Sequence, residues 1–465
     1  MNYSRRNFIK KSITGVAAAG ALSTISASPL KAAEAAGGNS AAMLKKDTGL
    51  PEPSTLDRLP LEWYKRQIGK LKDKMKEKEV DAIWLRDALN ITYFTGYFFI
   101  STERPYSVLL PVNEDAIYWF HPSLDRDLVN SWWKTGAESY FDFLHAAGGF
   151  PEQGKVVQGE TVDLFNWQLQ GIRSRGFGEK TIAVDNEWTP SQMGKIQQAI
   201  PKATWKQIDD ICMDFRTVKT PEELALWQRA YDYFSKIHAF ARDYILQHGT
   251  DATDYQVGHA ATEYGVDLIM KDIKRDGRPH SAVGITVEVD CRTGVACAFP
   301  HPNQFFYNKI KRGDSLQVAG GVTIGGYGGE LYRYYQILPS DPWRDQVWQV
   351  VTDTVQIMLD EGVAGRTCSN VAYRVHQHQV KHGVQKLIYH RPGHGMGIEG
   401  HQPPWLALGD YTMLREGMIF SVEPGLYDAD KGFGYNPSDA LLICPDRGRL
   451  MSSVPVTKDW MYLKL

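Results

Sequence analysis

The sequence predicts an α/β domain followed by an α+β domain, behind an export leader. Three observations carry this. About 430 residues remain after the leader, too many for one ordinary core. The first half alternates short apolar runs with helical stretches. The second half alternates long helices with glycine-rich strand segments, and there the histidines and glutamates gather.

Ser4-Arg5-Arg6-Asn7-Phe8-Ile9-Lys10 is a twin-arginine signal, followed by small apolar residues from Ile13 to about Ala27. Ser, Thr and Gly interrupt that run. It is shorter than the roughly 18 to 20 apolar residues of a spanning helix. Residues 1–33 therefore read as a signal peptide, and the mature protein is expected in a bacterial periplasm, off the membrane. Residues 1–33 hold five basic residues and no acid, so cleavage leaves 47 basic against 54 acidic, a formal −7. That balance disfavours nucleic acid and anionic membranes as partners. Residues 34–56, rich in Ala, Gly, Ser and Pro, read as a flexible linker.

The first domain is placed at 57–215. An amphipathic helix is expected over 60–80, then strands at Asp81–Leu85, Val108–Pro111, Ala116–Phe120 and Thr181–Val184. The second domain is placed at 216–465. It opens with a long helix capped by Thr220, with Pro221 at its first position and Glu222 and Glu223 at its positive end. Further helices are expected over 252–265, 343–360 and 367–382. Cys212, Cys291, Cys297, Cys368 and Cys444 have no metal-site spacing and read as buried thiols.

Four segments of the second domain can carry chemistry. His301 sits in a proline-bounded turn. Gly313–Gly321 leads into Gly325–Arg333, with Glu330. His390 to Pro404 holds His394 and His401 among glycines, which permit close backbone approach. Glu416–Gly425 ends a strand-like run at Glu423, and Gly432–Asp439 follows. A buried carboxylate such as Glu423 needs a cation, a donor or a metal. His280 and His382 read as surface or packing residues, and His390 as structural. Glu330 has an ion-pair candidate in Arg333. Tyr327, Tyr332, Tyr334 and Tyr335 read as core, with a cation-binding wall as the alternative.

These segments resemble the creatinase / aminopeptidase P / prolidase family, the pita-bread enzymes. His390–Pro404 is similar to the family's GHGxG…HE-x-P pattern, and segments two and four to its GD…D-x-G and EPG regions. Ile91-Thr-Tyr-Phe-Thr-Gly96 and Arg104-Pro105 are similar to its N-terminal domain. The resemblance covers about 57–465. It implies a pita-bread catalytic domain and a homodimer. It also implies a site of two divalent ions held by two Asp, one His and two Glu.

This sequence departs from that ligand set. The implied positions fall on Ala319, Glu330, His394, Glu423 and Ser438, with Asp439 beside the last. Gln402 stands where an acid is usual. Ala319 cannot ligate, and a centre bridged by two carboxylates looks untenable. The preferred reading has no metal. His301 is then the proton shuttle. Glu330 and Glu423 grip a cationic group or polarise water, and His394 and His401 bind a carboxylate or oxyanion. The function expected is hydrolysis of a C–N bond in a small nitrogen compound. The first alternative is an Xaa-Pro peptidase with one ion (Zn, Mn or Fe) on Glu330, His394 and Glu423. The second is a lyase on a small onium compound.

Overall fold

The computed structural model describes residues 39–46, 49–140, 163–273, 284–302 and 307–465. The signal peptide expected over 1–33, the start of the linker, and His280 lie outside the described residues. Among the described residues, no helix is long and apolar enough to cross a membrane.

The rest of the linker is not a free tether. Arg242 donates to Ser40 Oγ at 2.8 Å, Lys45 N to Ser453 O at 2.9 Å, and Ser54 N to Ala225 O at 2.9 Å. Composition alone misses this, because the partners lie some 170 to 400 residues away along the chain.

The first domain begins with α1 (Leu61–Glu77), whose Trp63, Ile68, Leu71 and Met75 face the core. Six strands follow: β1 (Ala82–Leu85), β2 (Ser107–Pro111), β3 (Tyr118–Pro122), β4 (Gly136–Tyr140), β5 (Thr181–Val184) and β6 (Thr204–Gln207). They form one mixed sheet in the order β4-β3-β2-β1-β5-β6. Counting helices of eight residues or more, α2 (Ala88–Thr95), α3 (Leu164–Ser174), α4 (Pro190–Ala199) and α5 (Asp209–Thr217) complete this part. Strands β4 and β6 escaped the sequence reading. Both lie at the sheet edges and are only partly buried, so their apolar pattern is weak.

The second domain opens with α6 (Pro221–His248), capped at Thr220 by a reciprocal bond with Glu223. Next come α7 (Asp254–Asp272), β7 (Thr286–Thr293), β8 (Ser315–Ile324), β9 (Tyr327–Glu330) and β10 (Arg333–Ile337). Then follow α8 (Pro342–Glu361), α9 (Cys368–Lys381), β11 (Gly393–Gly395), β12 (Gln402–Leu406), β13 (Ile419–Ser421), β14 (Leu426–Asp428), β15 (Phe433–Tyr435), β16 (Ala440–Leu442), β17 (Arg449–Leu450) and β18 (Tyr462–Leu463). One sheet runs β18-β10-β8-β7 with β9 beside β8, the other β12-β11-β13-β16-β17. The mutual approach of these two sheets positions the site. A bridge between Tyr332 and Ser438 joins the first sheet to the segment entering β16.

Candidate active site

A cavity of about 560 Å³ opens between the two sheets, with Glu330, His394 and Glu423 in its lining. Each is placed by a different local device. Glu330 ends β9 opposite Gly321. His394 is the middle residue of β11, whose flanking glycines are required by packing. A Cβ on Gly393 would overlap the Ser421 carbonyl, and one on Gly395 would stand 2.7 Å from the Gln402 carbonyl oxygen. Glu423 follows β13, and its N–H donates to the Pro392 carbonyl at 2.7 Å, tying it to the His394 strand.

The three side chains converge. His394 Nε2 lies 3.2 Å from Glu423 Oε2 and 3.5 Å from Glu330 Oε1. Neither contact is aligned as a hydrogen bond. Tyr332 donates to Glu330 Oε2 at 2.7 Å and Ser438 Oγ to Glu330 Oε1 at 2.9 Å. Ser421 Oγ donates to Glu423 Oε2 at 3.1 Å. Burial pushes the His394 pKa down, but the two glutamates outweigh it and hold it at about 9. Burial works against the charged form of Glu330 too, yet His394, Tyr332 and Ser438 bring its pKa below the usual value. The two carboxylates thus favour the protonated form of His394.

His401 is exposed and stacks on His394, with ring centroids 3.7 Å apart. Burial and the neighbouring His394 charge lower its pKa. His301 is exposed and lines the cavity rim. His390, expected to be structural, also lines the cavity, and its Nε2 lies 2.9 Å from Tyr427 OH. Arg292, Arg391, Gln317, Tyr389, Tyr427 and Asn436 belong to the same lining and were not singled out from sequence. Of the four expected aromatic residues only Tyr332 reaches the cavity, while Tyr327, Tyr334 and Tyr335 are core.

The candidate Glu330–Arg333 pair does not form. Arg333 is fully buried and donates to Asp439 Oδ2 at 2.6 Å, Ser452 Oγ at 2.8 Å and the Val454 carbonyl at 2.8 Å. Asp439 also accepts from Ala440 N and Ser452 N. Its carboxylate is saturated and offers nothing to the cavity. The reason is topological: Arg333 begins the next strand and faces the interior.

Two ions do not fit this donor set. Ala319 presents a methyl, the Ser438 hydroxyl is spent on Glu330, and Asp439 is spent on Arg333. One ion fits. Donors bound at about 2.1 Å in a tetrahedron stand about 3.4 Å apart, close to the His394–Glu423 and His394–Glu330 separations. Among the described residues, the group whose donor atoms all lie within 4.8 Å of one another is Glu330, His394 and His401; Glu423 stands 3.2 Å from His394 but is not part of that group. Near-parallel stacked rings aim their in-plane lone pairs side by side, which counts against His401 and leaves Glu423, after a shift of its carboxylate toward Glu330, as the alternative third ligand. All five cysteines are free, and none belongs to this cluster.

Two family models match the chain. Metallopeptidase family M24 covers residues 229–444, and the creatinase/prolidase N-terminal domain covers 67–218. The chain belongs to the M24 creatinase/prolidase family. It is an enzyme of the hydrolase class. An Xaa-Pro dipeptidase of Pyrococcus furiosus is 22% identical over 82% of this chain and 95% of its own length. An Xaa-Pro dipeptidase of Lactobacillus helveticus is 24% identical over 77% of this chain and 89% of its own. The crystal structure of dipeptidase PepE from Mycobacterium ulcerans superposes with a TM-score of 0.68 at 19% identity, over 88% of this chain and all of that one. These relatives sit closer to the Xaa-Pro peptidase alternative than to a hydrolase of small nitrogen compounds.

Proposed function

We propose that the protein is an exported peptidase cleaving a short peptide, in first place an Xaa-Pro dipeptide, with one divalent ion held by Glu330, His394 and Glu423. The observation that carries this reading is the place of His394 Nε2 in the cavity, 3.2 Å from Glu423 and 3.5 Å from Glu330. Bound there, the ion would bring a water's pKa toward neutrality and polarise the scissile carbonyl.

The chain's own residues do the rest. Tyr332, Ser438 and Ser421 fix the two glutamates, so neither reorganises during turnover. His394 would hold the ion as the neutral imidazole. His301, at the open rim, returns a proton to the leaving nitrogen as the C–N bond breaks. Arg391, exposed at the rim with its guanidinium 4.4 Å over the Trp405 ring, receives the peptide carboxylate. A volume near 560 Å³ suits a ligand of two or three residues.

A second reading is favoured by Ala319 and by Ser438, whose hydroxyl is spent on Glu330: metal-free hydrolysis of a C–N bond in a small nitrogen compound. One panel separates the two. Mature protein is incubated with Xaa-Pro dipeptides, other dipeptides, and guanidino and amide compounds, with and without chelator. The peptidase reading expects Xaa-Pro cleavage that the chelator abolishes. Cleavage of guanidino compounds alone, indifferent to chelator, contradicts it.

Export by the twin-arginine pathway into the periplasm is part of this proposal, supported by Ser4–Lys10, and is tested by fractionation of an Arg5→Lys/Arg6→Lys variant. A homodimer, implied by the resemblance, is tested by sedimentation.

A further inference from the structure

Besides His394 Nε2, three buried polar atoms of cavity-lining residues have no hydrogen-bond partner among the described residues: Arg292 Nε, Gln317 Oε1 and Asn436 Oδ1. Gln317 is 3% exposed and Asn436 7%. The three residues adjoin. Arg292 and Gln317 stand opposite each other on β7 and β8, so their side chains leave the same face of the sheet. Gln317 Nε2 donates to the Asn436 backbone carbonyl at 2.7 Å. That bond fixes the Gln317 amide, whose nitrogen is spent and whose oxygen is the free acceptor. Arg292 is anchored through Nη1 to the Pro300 carbonyl at 2.9 Å, which leaves Nε over. Ala319, two residues along β8 on the same face, presents only a methyl and does not obstruct the wall.

Unpaired buried polar atoms are costly, and a group of them lining a cavity awaits a complement. An anionic group meets two amide oxygens there. A cationic group meets the Arg292 guanidinium. A neutral group with one acceptor and two donors meets neither penalty. A primary carboxamide is that group: its oxygen takes the Arg292 Nε–H, and its two N–H bonds reach Gln317 and Asn436. Reversing the Asn436 amide exchanges one acceptor for one donor, and a carboxamide oxygen, which accepts twice, still satisfies the wall.

We infer that this wall is a subsite for a carboxamide of the substrate, the side chain of asparagine or glutamine or a C-terminal amide. The inference rests on the reading of the cavity as the substrate site and adds the side-chain class it selects. Four Xaa-Pro dipeptides test it, beginning with asparagine, aspartate, leucine or 2,4-diaminobutyrate. Binding to the mature protein is followed by ligand-observed NMR and cleavage by product release, on the same samples. The asparagine peptide is expected to bind about tenfold more tightly than each of the others. Gln317→Met is expected to erase that advantage and leave the other three within about twofold. Equal binding of the four, or an asparagine advantage that survives Gln317→Met, overturns the subsite. If Gln317→Met does not fold, the four-peptide comparison on the natural protein decides alone. Selective binding without cleavage would contradict the peptidase reading and keep the subsite. Cleavage of all four with equal affinity would do the reverse.

Discussion

Glu330 and Asp439 lie on neighbouring segments, joined through the Tyr332–Ser438 bridge, and both carboxylates are largely buried. Their partners differ. Glu330 faces His394, a base that can lose its proton, in an open cavity. Asp439 faces Arg333, a permanent cation, with every oxygen engaged and the pair 0% and 2% exposed. One carboxylate can exchange its partner for a metal ion or a ligand. The other can only hold the fold. The kind of partner, more than burial, separates an acid free to take a ligand from one that only holds the fold.

The sharpest break of this contrast is Asp439→Ala. It leaves Arg333 buried without a counter-charge and should cost about 3–5 kcal/mol in urea unfolding. A loss below about 1 kcal/mol would mean that the pair is not structural. On the same side, His238 is fully buried with its Nε2 2.9 Å from the Leu331 carbonyl. Burial, with the Arg333 charge, depresses its pKa to about 3. The unfolded chain takes up a proton near pH 6.5 that the folded chain refuses. The stability present above pH 6.5 is therefore lost as pH falls toward 3. His238→Gln keeps a donor and should recover on the order of 3 kcal/mol at pH 4 relative to pH 7.

On the cavity side the signature reverses, with activity lost and stability kept. Glu423→Gln should lower turnover about 100-fold, equivalent to about 2.7 kcal/mol, while unfolding shifts by about 1 kcal/mol or less. Full activity in this variant would remove Glu423 from the site. Ser438→Ala has the smallest effect expected. It deletes one hydrogen bond to Glu330, worth about 1 kcal/mol, and should change turnover only a few-fold. A loss as large as that of Glu423→Gln would make Ser438 a ligand and contradict the contrast.

Much of this was legible in the sequence because it rests on local chemistry. Thr220, Pro221 and Glu223 announce α6 by capping. Glycines around His394 announce a tight strand, and Glu423 before Pro-Gly announces a carboxylate pointing inward. The illegible parts depend on pairing over long distances. Arg333 chooses Asp439, 106 residues on, over its near neighbour Glu330. Gln317 and Arg292 acquire meaning only when β7 and β8 fix them opposite each other. His390 looked like a spare histidine until the fold brought Tyr427 to it.

The central claim is that the cavity holds a single ion on Glu330, His394 and Glu423. The direct test is elemental mass spectrometry of mature protein saturated with Zn²⁺, Mn²⁺ or Fe²⁺ and freed of excess, alongside its Glu423→Gln variant. The account predicts close to one ion per chain, activity that a chelator removes and metal restores, and less than about a tenth of an ion in the variant. Two ions per chain, or no ion with full chelator-resistant activity, would contradict it.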